Sequence, residues 1–211
     1  MDGILLLNKP ICWTSHDLVD AVRQRLKMRR VGHAGTLDPM ATGLMILLLG
    51  ADTKRSSEFM GMDKSYRGSI RLGVQTDSWD MDGRLLGEKP ADFVLEKTLQ
   101  EIFQTCCGEQ MMMPPSFSAV KQSGKKAYEM ARRGEAVALE PRAVKIHQFK
   151  IEAYDPPEIY FELSCSKGTY VRSLANLIGE KLGCGAALSS LVRTRIGDYH
   201  LKDARPLESL S

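Results

Sequence analysis

The sequence has no pair of cysteines in C-x-x-C spacing, and its four histidines are scattered at His16, His33, His147 and His200. Zinc sites need thiolates and imidazoles paired at short spacings, so no zinc ligand set is visible. The five cysteines (Cys12, Cys106, Cys107, Cys165, Cys184) are odd in number and read as buried or free thiols in a reducing compartment. No long apolar run exists either. Ile4–Leu7 gives way at once to Asn8 and Lys9, too short a stretch for a signal peptide or a membrane span. A cytoplasmic protein is expected. The glycines near residue 35 are not followed by the lysine of a phosphate-binding loop, and Lys54 stands too far along to serve. The acidic stretch Asp77, Asp80, Asp82, Gly83 looks like a calcium loop, yet Lys89 occupies the position of its closing glutamate. It reads as a polar loop, and a mechanism without cofactor or metal is favoured.

What is present suffices for a core. The chain has 211 residues, 43% of them hydrophobic, which predicts one domain of residues 1–211. Net charge is only +3, but its distribution is uneven. Arg23, Arg25, Lys27, Arg29 and Arg30 crowd one stretch, Lys121, Lys125, Lys126, Arg132 and Arg133 another, and Arg193 and Arg195 a third. Basic runs interleaved with acidic ones fit a basic face for a polyanion such as nucleic acid.

Periodicity supplies the elements. Ile4–Leu7 reads as a strand. A helix from about Thr14 to Met28 is marked by a Thr14/Asp17 capping box and the stripe Leu18, Val19, Val22, Leu26. Leu44–Leu49 is a continuous apolar run of buried-strand character. Residues 66–72 alternate as a half-buried strand, and Leu95, Leu99, Ile102 and Phe103 mark a helix over about 91–106. Met111–Pro115 reads as a loop and Tyr128–Arg133 as a short helix. Strands follow near Val144–Ala153 and Ile159–Ser166, then a helix over about Tyr170–Leu182 that stops at Gly183. The expected fold is mixed α/β (α+β) around a mostly antiparallel sheet.

The most informative stretch is Val31–Gly43, VGHAGTLDPMATG. Its three glycines permit backbone conformations and close approaches that other residues do not. Pro39 fixes its own φ and holds the residue before it extended. Together they would present the carboxylate of Asp38 at a defined angle on a loop that another molecule can approach. Taken as an arbitrary Asp-Pro, the same dipeptide is an ordinary turn.

The whole string resembles the GH-x-G-T-L-D-P-x-A-T-G signature of the TruB family of tRNA pseudouridine synthases. Further blocks are similar to that family in the same order: Leu7-Asn8-Lys9-Pro10 with Trp13-Thr14-Ser15, Lys64-Ser65-Tyr66, Gly73 to Gly83, and Gln110 to Gly124 with Tyr128, Ala131, Arg132 and Gly134. The last are Lys167 to Arg172 and Gly179 to Gly183. Asn8 stands where the family more often has Asp. The resemblance implies a pseudouridine synthase acting on uridine 55 in the T-loop of tRNA. Asp38 would be the catalytic nucleophile, Arg172 the cation keeping it ionised, and Tyr66 both the stacking face for the flipped base and an aid to proton removal from C5. His33 would stack into the opened RNA loop, while Tyr170 and Leu191 would line the base. No metal, cofactor or membrane is implied, and the protein is expected to act as a monomer on the T-stem-loop. The chain matches the catalytic domain alone, without the small C-terminal RNA-binding (PUA-type) domain of long bacterial members. Three other readings use the same residues: a non-catalytic tRNA-folding chaperone, a synthase subunit directed by guide RNA, and a glycosidase, which would need a partner carboxylate.

Overall fold

The computed structural model describes residues 2–117, 121–122, 125–126 and 139–210. The chain divides into two compact units, residues 1–67 with 190–211, and residues 68–189. The helix expected at Tyr128–Arg133, and with it Arg132, Arg133 and Gly134, lies outside the described residues.

In the first unit, β1 (Gly3–Lys9) runs antiparallel to β3 (Thr42–Leu49), in register from Gly3 opposite Leu49 to Lys9 opposite Gly43. The short β2 (Val31–His33) also pairs with β3. Both flank a strand whose side chains from Leu44 to Leu48 are fully buried, as the unbroken apolar run requires. The helix α1 (Ser15–Arg25) opens with the expected capping box, Thr14 Oγ1 accepting from Asp17 N–H at 3.1 Å and Asp17 returning the bond at 2.7 Å. It ends three residues before Met28 because Lys27 turns to a left-handed φ of 51°. The core of this unit joins Ala34, Leu44, Ile46, Leu48, Phe59 from the short helix α2 (Ser56–Met60), and Ile196. Burying each of the larger side chains is worth about 1.5–3 kcal/mol.

Two strands are shared between the units along the chain: β4 (Lys64–Leu72) and a strand that periodicity did not reveal, Ala186–Ile196. The latter is the source of the one parallel pairing with β3, Val192 opposite Thr42 and Arg193 opposite Gly43. The pairings of β1 and β2 with β3, and of the strand at Arg142–Asp155 with those at Gly108–Met112 and Glu158–Cys165, are antiparallel, so the fold is the mixed, mostly antiparallel α/β sheet expected.

The second unit adds a hairpin, β5 (Val74–Thr76) with β6 (Leu85–Glu88), and the helix α3 (Glu96–Thr105). That helix starts later than 91 because residues 91–94 form a turn closed by Val94 N–H on the Ala91 carbonyl. Next comes β7 (Gly108–Met112), so Met111 and Met112 finish a strand rather than open a loop. After the short strands β8 (Lys121–Gln122) and β9 (Lys125–Lys126), β10 (Arg142–Asp155) pairs with β7 on one side and with β11 (Glu158–Cys165) on the other. Phe103 packs on Phe149 with centroids 4.1 Å apart, and Phe149 meets Phe161 edge-on at 5.4 Å. The helix α4 (Val171–Leu182) closes on Gly183, whose φ of 76° suits the left-handed cap. The strand at Ala186–Ile196 is β12, and β13 (Tyr199–His200) pairs with its end. No helix among the described residues is long and apolar enough to cross a membrane.

Candidate active site

The loop carrying Asp38 leaves the sheet after Ala34, whose N–H still bonds the Ile46 carbonyl. From there side chains replace the ladder. Ser15, buried at the start of α1, donates its hydroxyl to the Leu37 carbonyl at 3.1 Å and accepts from the Leu37 N–H at 2.9 Å. On the other side of Asp38, the Pro39 carbonyl accepts from the Cys12 N–H at 2.9 Å and from Lys9 Nζ at 3.3 Å. The Asp38 carbonyl itself receives the Ala41 N–H. The residues before and after the acid are therefore both tied to the β1–α1 segment, and Asp38 sits half-buried between them.

Lys9 is fully buried and also donates to the carbonyls of Pro10 and Trp13. Burial pushes its pKa down to about 8, against the pull of the nearby Asp38 carboxylate. Arg193 is buried too, at 1% exposure. Its guanidinium donates to the carbonyls of Gly35 (3.1 Å), Thr36 (3.4 Å) and Leu44 (2.8 Å), and to the hydroxyl of Tyr66. Desolvation lowers its pKa and the Tyr66 contact raises it; a guanidinium stays charged in either case. Gly43 lets this happen. Its φ is 105°, and a Cβ there would fall on the Arg193 carbonyl and within 2.6 Å of the Arg193 nitrogen.

Tyr66 is buried on β4 and Leu191 on β12, both in the first unit with Asp38. His33 ends β2, half-buried, and burial followed by the charges of Arg193 and His16 favours its neutral form. Of the first basic run, Arg23 is bound to Asp20 and to the Val31 carbonyl, and Arg30 to Thr53, while Lys27 and Arg29 remain exposed.

Tyr170 and Arg172 belong to the second unit. Tyr170 is half-buried at the start of α4, its N–H on Met112 Sδ at 3.2 Å. Arg172 lies 3.4 Å from the Asp80 carboxylate and donates to the carbonyls of Ser78 (3.2 Å) and Phe117 (3.1 Å). Asp80 also accepts from Ser78 Oγ at 2.5 Å and from the Asp82 N–H. The acidic loop thus directs its buried carboxylate at an arginine, a role sequence reasoning missed. Lys9, Ser15 and Arg193 were missed as well. The first two stood inside a quoted motif; Arg193 had been counted with Arg195 in a basic run for a polyanion, but it is buried at 1% exposure and turns inward on the Asp38 loop instead.

Residues 23–171 match the model of the TruB family pseudouridylate synthase (N terminal domain). The chain belongs to this family. A tRNA pseudouridine synthase B of Opitutus terrae is 44% identical over the whole chain and 87% of its own length. Another, from Protochlamydia amoebophila, is 46% identical over 96% of the chain and 77% of its own. Among solved structures, a Cbf5-Nop10-Gar1 complex is similar with TM-score 0.77 and 26% identity, and an archaeal box H/ACA sRNP Nop10-Cbf5 complex with TM-score 0.73 and 24%. Each match covers 99% of the chain, which spans about half the length of the matched chain, and the second shows the fold alone. As a TruB-family member the protein is an isomerase, a pseudouridine synthase.

Proposed function

We propose that the protein isomerises uridine 55 in the T-loop of tRNA to pseudouridine. The relatives named tRNA pseudouridine synthase B, alike along the whole chain, support tRNA as the substrate. The observation that carries the chemistry is the anchoring of Leu37 and Pro39 on either side of Asp38. Anchors on both neighbours fix the backbone from which the Asp38 carboxylate is presented. In the reaction the N1–C1′ bond breaks, the uracil turns, and a C5–C1′ bond forms while the C5 proton moves to N1. Nothing is oxidised or reduced, so no cofactor is called for. Asp38 serves as nucleophile toward the sugar, or takes a sugar proton, once the target base has been flipped out of its stack.

The family resemblance assigns the remaining roles. Tyr66 stacks on the base and helps remove the C5 proton, Arg172 is the cation that favours the Asp38 carboxylate, His33 stacks into the opened RNA loop, and Tyr170 and Leu191 give apolar contacts to the base. The protein acts as a monomer in the cytoplasm, with Lys27, Arg29 and the 121–133 cluster contacting the RNA backbone. The test is to map pseudouridine in a synthetic T-stem-loop and in whole tRNA, with purified protein, at two salt concentrations. Modification of both at uridine 55, with affinity falling steeply as salt rises, is expected. Absence of modification at that position in both RNAs would overturn the reading.

A further inference from the structure

Arg193 is a costly residue where it stands. A charge buried at 1% exposure against carbonyls, the Met45 thioether and a phenol is harder to desolvate than the leucine or methionine that would fill the same place. Its fork reaches three places at once. It binds the Gly35 and Thr36 carbonyls at the entry of the Asp38 loop, the Leu44 carbonyl at its exit, and the Tyr66 hydroxyl on β4. The parallel register of Arg193 with Gly43 brings the two backbones close enough for this. A guanidinium only donates, so Tyr66 Oη is the acceptor in this contact.

We propose that Arg193 is a positioning residue of the reaction, one buried guanidinium holding the Tyr66 phenol and both ends of the Asp38 loop in fixed register. This rests on the roles given above to Asp38 and Tyr66. It predicts that Arg193 acts on turnover rather than on RNA binding, and that it acts through Tyr66. A lysine keeps the charge but not the planar fork, so Arg193→Lys isolates the geometry.

Single-turnover rates and KM for the T-stem-loop are measured for wild type, Arg193→Lys, Tyr66→Phe and the double variant. Arg193→Lys is expected to lose about 10²-fold in rate with KM little changed. In the Tyr66→Phe background the same substitution is expected to cost less than about ten-fold, because the two residues work as one unit. A wild-type rate for Arg193→Lys, or an undiminished loss in the Tyr66→Phe background, would overturn the proposal. Should Arg193→Lys fail to fold, hydrogen exchange in Tyr66→Phe decides. That variant removes only the oxygen held by the fork, so the amides of Leu37 and Ala41 are expected to exchange faster than in wild type, and unchanged exchange would refute the coupling. This readout needs no activity. A wild-type protein that makes no pseudouridine would sink the functional reading while leaving the exchange result to judge the coupling by itself.

Discussion

Asp80 and Arg172 face each other at 3.4 Å with side chains 6% and 5% exposed. The loop that carries the acid is laced to the start of β12, with Met81 N–H on the Leu188 carbonyl and Leu188 N–H on the Trp79 carbonyl, both at 3.0 Å. The pair is thus fixed from both ends, the acid by β12 and the arginine by the first turn of α4. Removing one partner of such a pair leaves the other charge buried and uncompensated. Asp80→Asn is expected to destabilise the protein near the low end of about 3–5 kcal/mol, since the Ser78 and Phe117 carbonyls still hold Arg172. Urea unfolding of both proteins checks the stability, and turnover of the folded variant should also fall. An unchanged midpoint would mean that the pair contributes no stability.

Asp38→Asn is nearly isosteric and leaves the Ser15, Lys9 and Cys12 anchors in place. Pseudouridine formation should be abolished while tRNA affinity stays within a few-fold, because backbone phosphates supply most of the binding. Filter binding and a turnover assay on the same preparation separate the two. If binding collapses together with activity, the acid is mainly structural.

Tyr66→Phe keeps the ring and deletes the oxygen that accepts from Arg193. Binding should be almost normal and turnover largely lost, whereas Tyr66→Ala should lose both, since stacking is worth about 1–3 kcal/mol per base. A Tyr66→Phe protein as active as wild type would show that the phenol oxygen is dispensable.

Gly43 and Gly35 both have left-handed φ, 105° and 101°, but only Gly43 lies against backbone. Alanine at Gly35 meets nothing nearer than Arg193 Nη1 at 3.6 Å and should cost about 1–3 kcal/mol for its backbone conformation. Alanine at Gly43 carries that cost and also forces β3 and β12 apart, so it should melt at a clearly lower temperature. Equal melting temperatures for the two variants would contradict the close approach of Gly43 to Arg193.

Lys9 sets a pH dependence. Its pKa is lowered from 10.5 in the unfolded chain to about 8 in the folded one, so the unfolded state holds more protons between these values. Burying the charge is therefore a penalty fully present below about pH 8 and relieved as pH rises toward 10.5. Relative to Lys9→Met, the wild type should gain stability across that window by at most about 3 kcal/mol. Denaturant melts of both proteins at pH 7.5 and pH 10 measure it, and a constant difference would show that Lys9 titrates normally.

Local pattern determined much of this molecule. The unbroken apolar run of β3, the Thr14/Asp17 box that opens α1, and the stripe of α4 ending at Gly183 each depend on residues within a few positions, and each stands where the sequence puts it. The motif around Asp38 likewise marked its own loop. What only the tertiary structure decided involves groups far apart in the chain. β12 was hidden because a buried arginine sits at an inward position where alternation calls for an apolar side chain. Its meaning appears only once the strand lies beside Gly43, 150 residues earlier, and the guanidinium reaches the Leu44 carbonyl. Asp80 read as one acid in a polar loop until folding buried it against Arg172. Periodicity reports which face of an element is apolar. The partner of a buried charge is chosen by long-range packing, and no spacing in the sequence encodes it.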